Sequence, residues 1–299
     1  MPSRASRPDR PVAFVLSGGA SLGAIQVGML RALYERGIAP DLLVGTSVGA
    51  VNGAFIASRA PSLATVEALE TVWLKLRRSK IFPTNPVTGL LGVLGAHGHT
   101  VPGRGLRSLL EKNVETERLE DAPIPLYVIA TDLFTGAERR LSRGSAIDAV
   151  MASAAIPGVF PPVEWEDTEL VDGGIANNAP ISHAAELGAR TVYVLPTGYA
   201  CALEQKPKGA LATGLHAVSL MIQQRLVMDI DRVAGDVRLV VLPPPCPLDV
   251  QATDFTQAEE LIRRGHEGAR AWLQSADGGE ARDPPSLHAD LLRPHARRR

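Results

Sequence analysis

Short apolar runs alternate with longer stretches of helical spacing along most of the chain. Val12–Leu16 is a β-branched and apolar run that ends at Ser17-Gly18-Gly19. Behind it, Leu22, Ile25, Met29 and Leu33 recur at three- and four-residue intervals, which predicts a helix over 22–36 with Gly37 as its C-cap. Residues 42–44 form a second apolar run, and a glycine-bounded turn leads from it into a helical stretch over 48–58. The same patterning predicts helices over 64–78, 105–112, 145–155, 179–187, 211–233 and 255–274. It predicts strands over 126–131, Glu138–Leu141, 169–171, Thr191–Leu195 and 238–242. Alternating strands and helices imply an α/β fold with a mostly parallel sheet covered on both faces. Ligands of such sheets bind beyond the carboxyl ends of the strands. Three glycine-marked turns, at Gly18-Gly19, Gly45–Gly49 and Gly173-Gly174, follow apolar strands. If those strands are parallel neighbours, the turns converge on one edge.

Composition narrows the function classes. The 299 residues carry a net charge of −1, without the basic excess that a nucleic-acid-binding surface usually needs. Aromatics make up only 4%, too few for base-stacking platforms. The two cysteines, Cys201 and Cys246, are too few for a disulfide framework or a Cys-rich zinc site. The N-terminal segment is basic but is followed by no apolar stretch long enough for a signal sequence, and nowhere do about 20 apolar residues run together. The expectation is a cytoplasmic protein with one domain over 11–274, a disordered N-terminal segment over 1–10 and a disordered tail over 275–299. The tail ends in three arginines, which leaves room for peripheral contact with anionic lipid. Residues 81–101 contain Gly89-Leu90-Leu91-Gly92-Val93-Leu94-Gly95 and read as a lipid-facing flap or as a buried connector.

Gly45-Thr46-Ser47-Val48-Gly49 fits the G-x-S-x-G pattern in the strand-to-helix context that a nucleophile elbow requires. A sharp turn there projects Ser47 above the sheet edge, and the helix start presents unpaired amides and a positive dipole end to developing negative charge. The competing reading is a turn of small residues that packs a helix close to a strand. Ser17-Gly18-Gly19-Ala20-Ser21-Leu22-Gly23 also joins a strand to a helix. It fails as a dinucleotide fingerprint, because Ala20 holds the middle glycine position and Asp41 precedes its strand. It lacks the Gly-Lys-Ser/Thr of a P-loop. What remains is an oxyanion hole from the amides of Gly18, Gly19 and Ala20, or a tight helix-entry turn.

A nucleophilic serine needs a base. None of the seven histidines, His97, His99, His183, His216, His266, His288 and His295, sits on an evident loop after a strand. Asp172 is better placed, after an apolar strand and before two glycines that let its carboxylate approach another loop. An Asx turn or a helix cap is the alternative for this residue.

Together these segments resemble the patatin-like phospholipase family. The resemblance rests on Leu16-Ser17-Gly18-Gly19-Ala20 with Gly23, on Gly45–Ala50, on Ala152-Ser153-Ala154-Ala155-Ile156-Pro157-Gly158-Val159-Phe160-Pro161-Pro162, and on Val171-Asp172-Gly173-Gly174 followed by Asn177-Asn178. It implies a three-layer α/β/α sandwich and hydrolysis of lipid acyl esters through a covalent acyl-enzyme, with no cofactor. It matches Ser47 to the nucleophile, Asp172 to the base and Gly18, Gly19 and Ala20 to the oxyanion hole. The chain departs from the family at Ala20, where glycine is common, and at Leu22, where Arg or Lys is frequent. The implied partner is a lipid or fatty-acyl ester substrate. A soluble carboxylesterase or thioesterase on the same pair, or a catalytically idle lipid-binding protein, stays open at this level. The oligomeric state is not legible.

Overall fold

The computed structural model describes residues 9–82, 101–198, 210–233, 235–246, 248 and 250–276. The segment 83–100, which holds the glycine-leucine run of the expected flap, and residues 1–8 and 277–299 of the expected tails lie outside the described residues.

Eight strands form one mixed sheet: β1 (Val12–Leu16), β2 (Leu42–Thr46), β3 (Leu126–Asp132), β4 (Glu138–Leu141), β5 (Val163–Trp165), β6 (Thr168–Asp172), β7 (Thr191–Leu195) and β8 (Arg238–Val241). The strand order is β5-β6-β3-β2-β1-β7-β8, with β4 also paired to β3. From β3 to β8 along that order the neighbours are parallel, whereas β4 and β6 run antiparallel to β3. The nine helices among the described residues are α1 (Ala24–Glu35), α2 (Val48–Ala57), α3 (Leu63–Lys75), α4 (Arg78–Ile81), α5 (Arg104–Asn113), α6 (Ala146–Ser153), α7 (Ile181–Glu186), α8 (Ala210–Val233) and α9 (Ala258–Ala276).

Side chains of a strand alternate between faces, and β1 divides the core accordingly. Phe14 and Leu16 join the larger apolar cluster, with α1, α2, α3 and α9, while Ala13 and Val15 join the smaller one, with α7 and α8. The result is the expected α/β/α layering. Strands buried on both faces need continuous apolar runs, which is why β1 and β7 were legible without period-2 alternation.

Three features differ from the sequence reading. The predicted 64–78 helix stops at Lys75, because Leu76 and Arg77 are extended, and resumes as the one-turn α4. The helix predicted over 22–36 opens as a 3-10 turn, Ala20–Gly23, before α1. The strand predicted over 169–171 lengthens to β6 and gains β5 as a hairpin partner, and it runs antiparallel to β3. The parallel-neighbour expectation for the Gly173-Gly174 turn is thereby corrected.

The antiparallel pairing still brings that turn to the right edge, through register. β4 occupies one edge of β3 over Val128–Thr131. The other edge is shared: β2 pairs along Leu126–Ile129 and β6 along Ala130–Asp132. Thr46 faces Ile129 and Asp172 faces Ala130, the next residue. Two strands of opposite direction therefore meet end to end on one edge of β3, with Ser47 just past one terminus and Asp172 at the other.

The C-terminal helix α9, which no motif marked, lies directly on α1. A Cβ on Gly28 would fall 2.1 Å from the Ile262 carbonyl, and one on Gly265 would fall 2.4 Å from that of Ile25. Glycine at both positions lets the two backbones touch. At the other end of the chain, Arg10 is tied to Asp41, whose carboxylate also accepts the Val12 amide at 2.7 Å. Among the described residues, no helix is long and apolar enough to cross a membrane.

Candidate active site

Ser47 sits between β2 and α2 with φ 54° and ψ −123°, a left-handed backbone that costs a non-glycine residue roughly 1–3 kcal/mol. Its neighbours make the turn possible. A Cβ on Gly49 would fall 2.1 Å from the Leu16 carbonyl, and one on Gly45 would fall 2.8 Å from the Ala50 Cα. Both glycines are therefore required by close backbone approach, as the G-x-S-x-G reading demanded. Ser47 is 6% exposed.

The Ser47 hydroxyl donates to Asp172 Oδ2 at 2.7 Å. The other carboxylate oxygen of Asp172 accepts the Gly174 amide at 2.7 Å, and the Asp172 amide donates to the Ala155 carbonyl at 2.9 Å. Thr131 Oγ1 donates to the Asp172 carbonyl at 2.9 Å. Burial pushes the Asp172 carboxyl up to about 6, against the hydroxyl of Ser47 and the amide of Gly174, which both pull it down. A carboxylate with that proton affinity, in contact with a serine hydroxyl, has the geometry of a general base.

The glycine loop lies beside this pair. The Gly18 amide is already committed: it donates to the Asn178 carbonyl at 3.1 Å, and the Gly18 carbonyl accepts Thr197 Oγ1 at 2.6 Å. Gly18 thus joins the loop after Asp172 to the end of β7. A Cβ there would fall 2.4 Å from Asn178 Oδ1, and one on Gly19 would fall 2.1 Å from Thr197 Oγ1. Among the described residues, the amides of Gly19 and Ala20 have no acceptor. Ala20 is left-handed, with φ 50°, so two of the three left-handed non-glycine residues among those described are here.

An apolar pocket opens at Ser47. Ala20 and Ser47 are among the residues that line it. Val48, Val51 and Phe55 line it along α2, which at 1.5 Å per residue gives a wall of about 10 Å. Val72 and Leu76 face them from α3 and the turn after it, and Leu109 from α5. Phe82 stacks on Phe160 with ring centroids 5.3 Å apart and also meets Phe255 at 6.0 Å. The sequence reading did not assemble this pocket, because its walls come from separate parts of the chain.

Sequence reasoning also passed over Ser153, which is fully buried at the end of α6. Its hydroxyl accepts the Ser47 amide at 2.8 Å and donates to the Ile129 carbonyl at 2.5 Å. The position lay within a quoted motif, but nothing in the motif distinguished its hydroxyl from a packing residue. Two of the histidines have described side-chain contacts. His183 Nε2 lies 2.6 Å from Glu138 Oε1, and His266 Nε2 lies 2.8 Å from Glu35 Oε2. Neither lines the Ser47 pocket. Among the described residues no cluster of His, Cys, Asp and Glu could hold a metal ion.

Comparisons with known proteins bear on the chain's family. The mouse patatin-like phospholipase domain-containing protein 7 is 29% identical over 295 residues, covering 88% of this chain and 21% of its own. The human patatin-like phospholipase domain-containing protein 6 is 31% identical over 193 residues, covering 62% of this chain and 13% of its own. The chain therefore spans about a fifth or less of the length of these relatives. Among solved structures, VipD from Legionella pneumophila aligns over 89% of this chain and 67% of its own, at 16% identity and a TM-score of 0.47. The family model described as patatin-like phospholipase matches residues 14–185, more than half of the sequence, and the chain belongs to that family.

Proposed function

We propose that the chain is a serine acyl hydrolase that cleaves carboxylic esters of lipids. The observation that carries the reading is the 2.7 Å hydrogen bond from Ser47, which lines an apolar pocket, to the buried carboxylate of Asp172, beside which no cation stands among the described residues. Asp172 accepts the hydroxyl proton as Ser47 Oγ attacks the ester carbonyl. The free amides of Gly19 and Ala20 hold the resulting oxyanion, and the positive end of α2 adds to their field. Gly18, whose amide is taken, braces the loop instead of serving in the hole. Collapse of the tetrahedral intermediate expels the alcohol, which takes the proton from Asp172. Asp172 then removes a proton from water, the hydroxide attacks the acyl-enzyme, and the fatty acid leaves with Ser47 reprotonated. The pocket holds the acyl chain along α2, and burial of that apolar surface supplies binding at about 25 cal/mol per Å².

The test is fluorophosphonate labelling together with turnover of p-nitrophenyl esters of increasing chain length. Labelling at Ser47, loss of both signals in Ser47→Ala, and kcat/KM that rises from acetate to longer acyl chains are the expected results. A folded protein that refuses the label overturns the hydrolase reading. Equal kcat/KM for all chain lengths removes the lipid part and leaves a soluble esterase.

A further inference from the structure

We infer that Ser153 is a positioning residue, and that the three-residue segment Ser153-Ala154-Ala155 is the jig that sets Ser47 against Asp172; the inference rests on the hydrolase reading above. The segment holds both partners by their backbones. Ser153 Oγ accepts the Ser47 amide at 2.8 Å, and the Ala155 carbonyl accepts the Asp172 amide at 2.9 Å. The reacting side chains are thus fixed from behind by groups two residues apart.

The contact to Ser47 is unusual in kind. Among the described residues, no main-chain carbonyl receives the Ser47 amide. A side-chain hydroxyl does so instead. Without Ser153 Oγ that buried amide would stand unpaired, and the turn would relax toward a geometry that gives it a partner. The hydroxyl is itself anchored, since it donates to the Ile129 carbonyl at 2.5 Å. Ile129 is the residue of β3 opposite Thr46, and its carbonyl also lies 2.1 Å from where a Gly173 Cβ would stand. The bridge therefore runs from β3 through Ser153 to the nucleophile, at the point where β2 and β6 meet. Ala154 lines the pocket beside Ser47, so the jig is also in contact with whatever occupies the pocket.

A residue that acts only by positioning should change rate rather than affinity. In Ser153→Ala, kcat on a short p-nitrophenyl ester should fall about 10- to 100-fold, with KM within twofold, since a misplacement near 1 Å costs up to about 10²-fold. The rate of fluorophosphonate labelling should fall in parallel. The acidic limb of the kcat/KM profile should move to higher pH, because the carboxyl loses the hydroxyl contact that pulls it down. Ser153→Cys, which keeps a weak acceptor and donor, should recover part of the lost kcat, and it carries the same test if the alanine variant does not fold. Ser47→Ala is assayed alongside. Residual wild-type turnover in Ser47→Ala overturns the hydrolase reading itself. An inactive Ser47→Ala beside a Ser153→Ala enzyme with wild-type kcat and an unmoved pH profile overturns the positioning role alone, as does a loss confined to KM or to melting temperature.

Discussion

The two halves of the sheet solve the same placement problem by different means. In the parallel half, β1 and β2 point the same way, so the loops at Gly18-Gly19 and Ser47 reach one edge by direction alone. In the antiparallel half, β6 points the opposite way, and Asp172 reaches that edge because its register leaves it facing Ala130, one residue past the end of β2. Direction is robust, since a strand of the wrong length still ends on the right side. Register is not: a slip of one residue would turn Asp172 to the other face of the sheet. Ser47 is thus held by topology and Asp172 by pairing detail. The acid half should be the more sensitive to small changes.

The largest expected effect is at Asp172, the proposed base. Asp172→Asn should lower turnover roughly 10⁴-fold, as loss of one member of a coupled catalytic unit does, while burial of a neutral side chain should stabilise the fold. The sign follows from the raised carboxyl. Stability is full below the unfolded value near 4 and is lost as pH rises toward about 6. The asparagine variant should therefore gain about 2–3 kcal/mol at pH 8 and nothing at pH 4, as read by thermal melting. A gain that is equal at both values would show that the stability cost lies elsewhere.

The next effect tests register. A Cβ on Gly173 would meet the Ile129 carbonyl at 2.1 Å, so Gly173→Ala should push β6 off β3 and cut kcat about 10²-fold. Gly53→Ala, in the parallel half, meets only the Leu126 methyl at 3.1 Å and should leave kcat unchanged. Equal losses in the two would erase the contrast. A smaller effect is expected from pH: kcat/KM should fall about tenfold per unit below a midpoint near 6 and stay flat above it. The smallest is His183→Gln, which should leave kcat within twofold, since that histidine, on α7, is engaged with Glu138 of β4. A large loss there would return a histidine to the chemistry.

A second buried acid clarifies why Asp172 suits the proposed role. Asp229 is also buried and raised by desolvation, but Arg225 lies 3.3 Å away and opposes the rise. A neighbouring cation favours the charged form and lowers the readiness to take a proton. Asp172 has a hydroxyl and an amide for neighbours and no cation, so it keeps its affinity for the serine proton.

By itself the sequence determined most of the elements and the α/β class, and it singled out Ser47 and Asp172, whose side chains the fold brings into contact. Those features are local: apolar runs, helical spacing and glycine-bounded turns report on the few residues that form them. The tertiary structure alone decided that β6 is antiparallel, that its register and not its direction delivers Asp172, that the Gly18 amide is consumed by Asn178, and that Ser153 receives the Ser47 amide. It also assembled the pocket from walls as distant in the chain as Ala20 and Phe255. The physical reason is one of range. A hydrogen bond between residues 106 positions apart, or a pairing offset of one residue on a shared strand edge, leaves no periodic trace in the chain, because it depends on how the layers pack together.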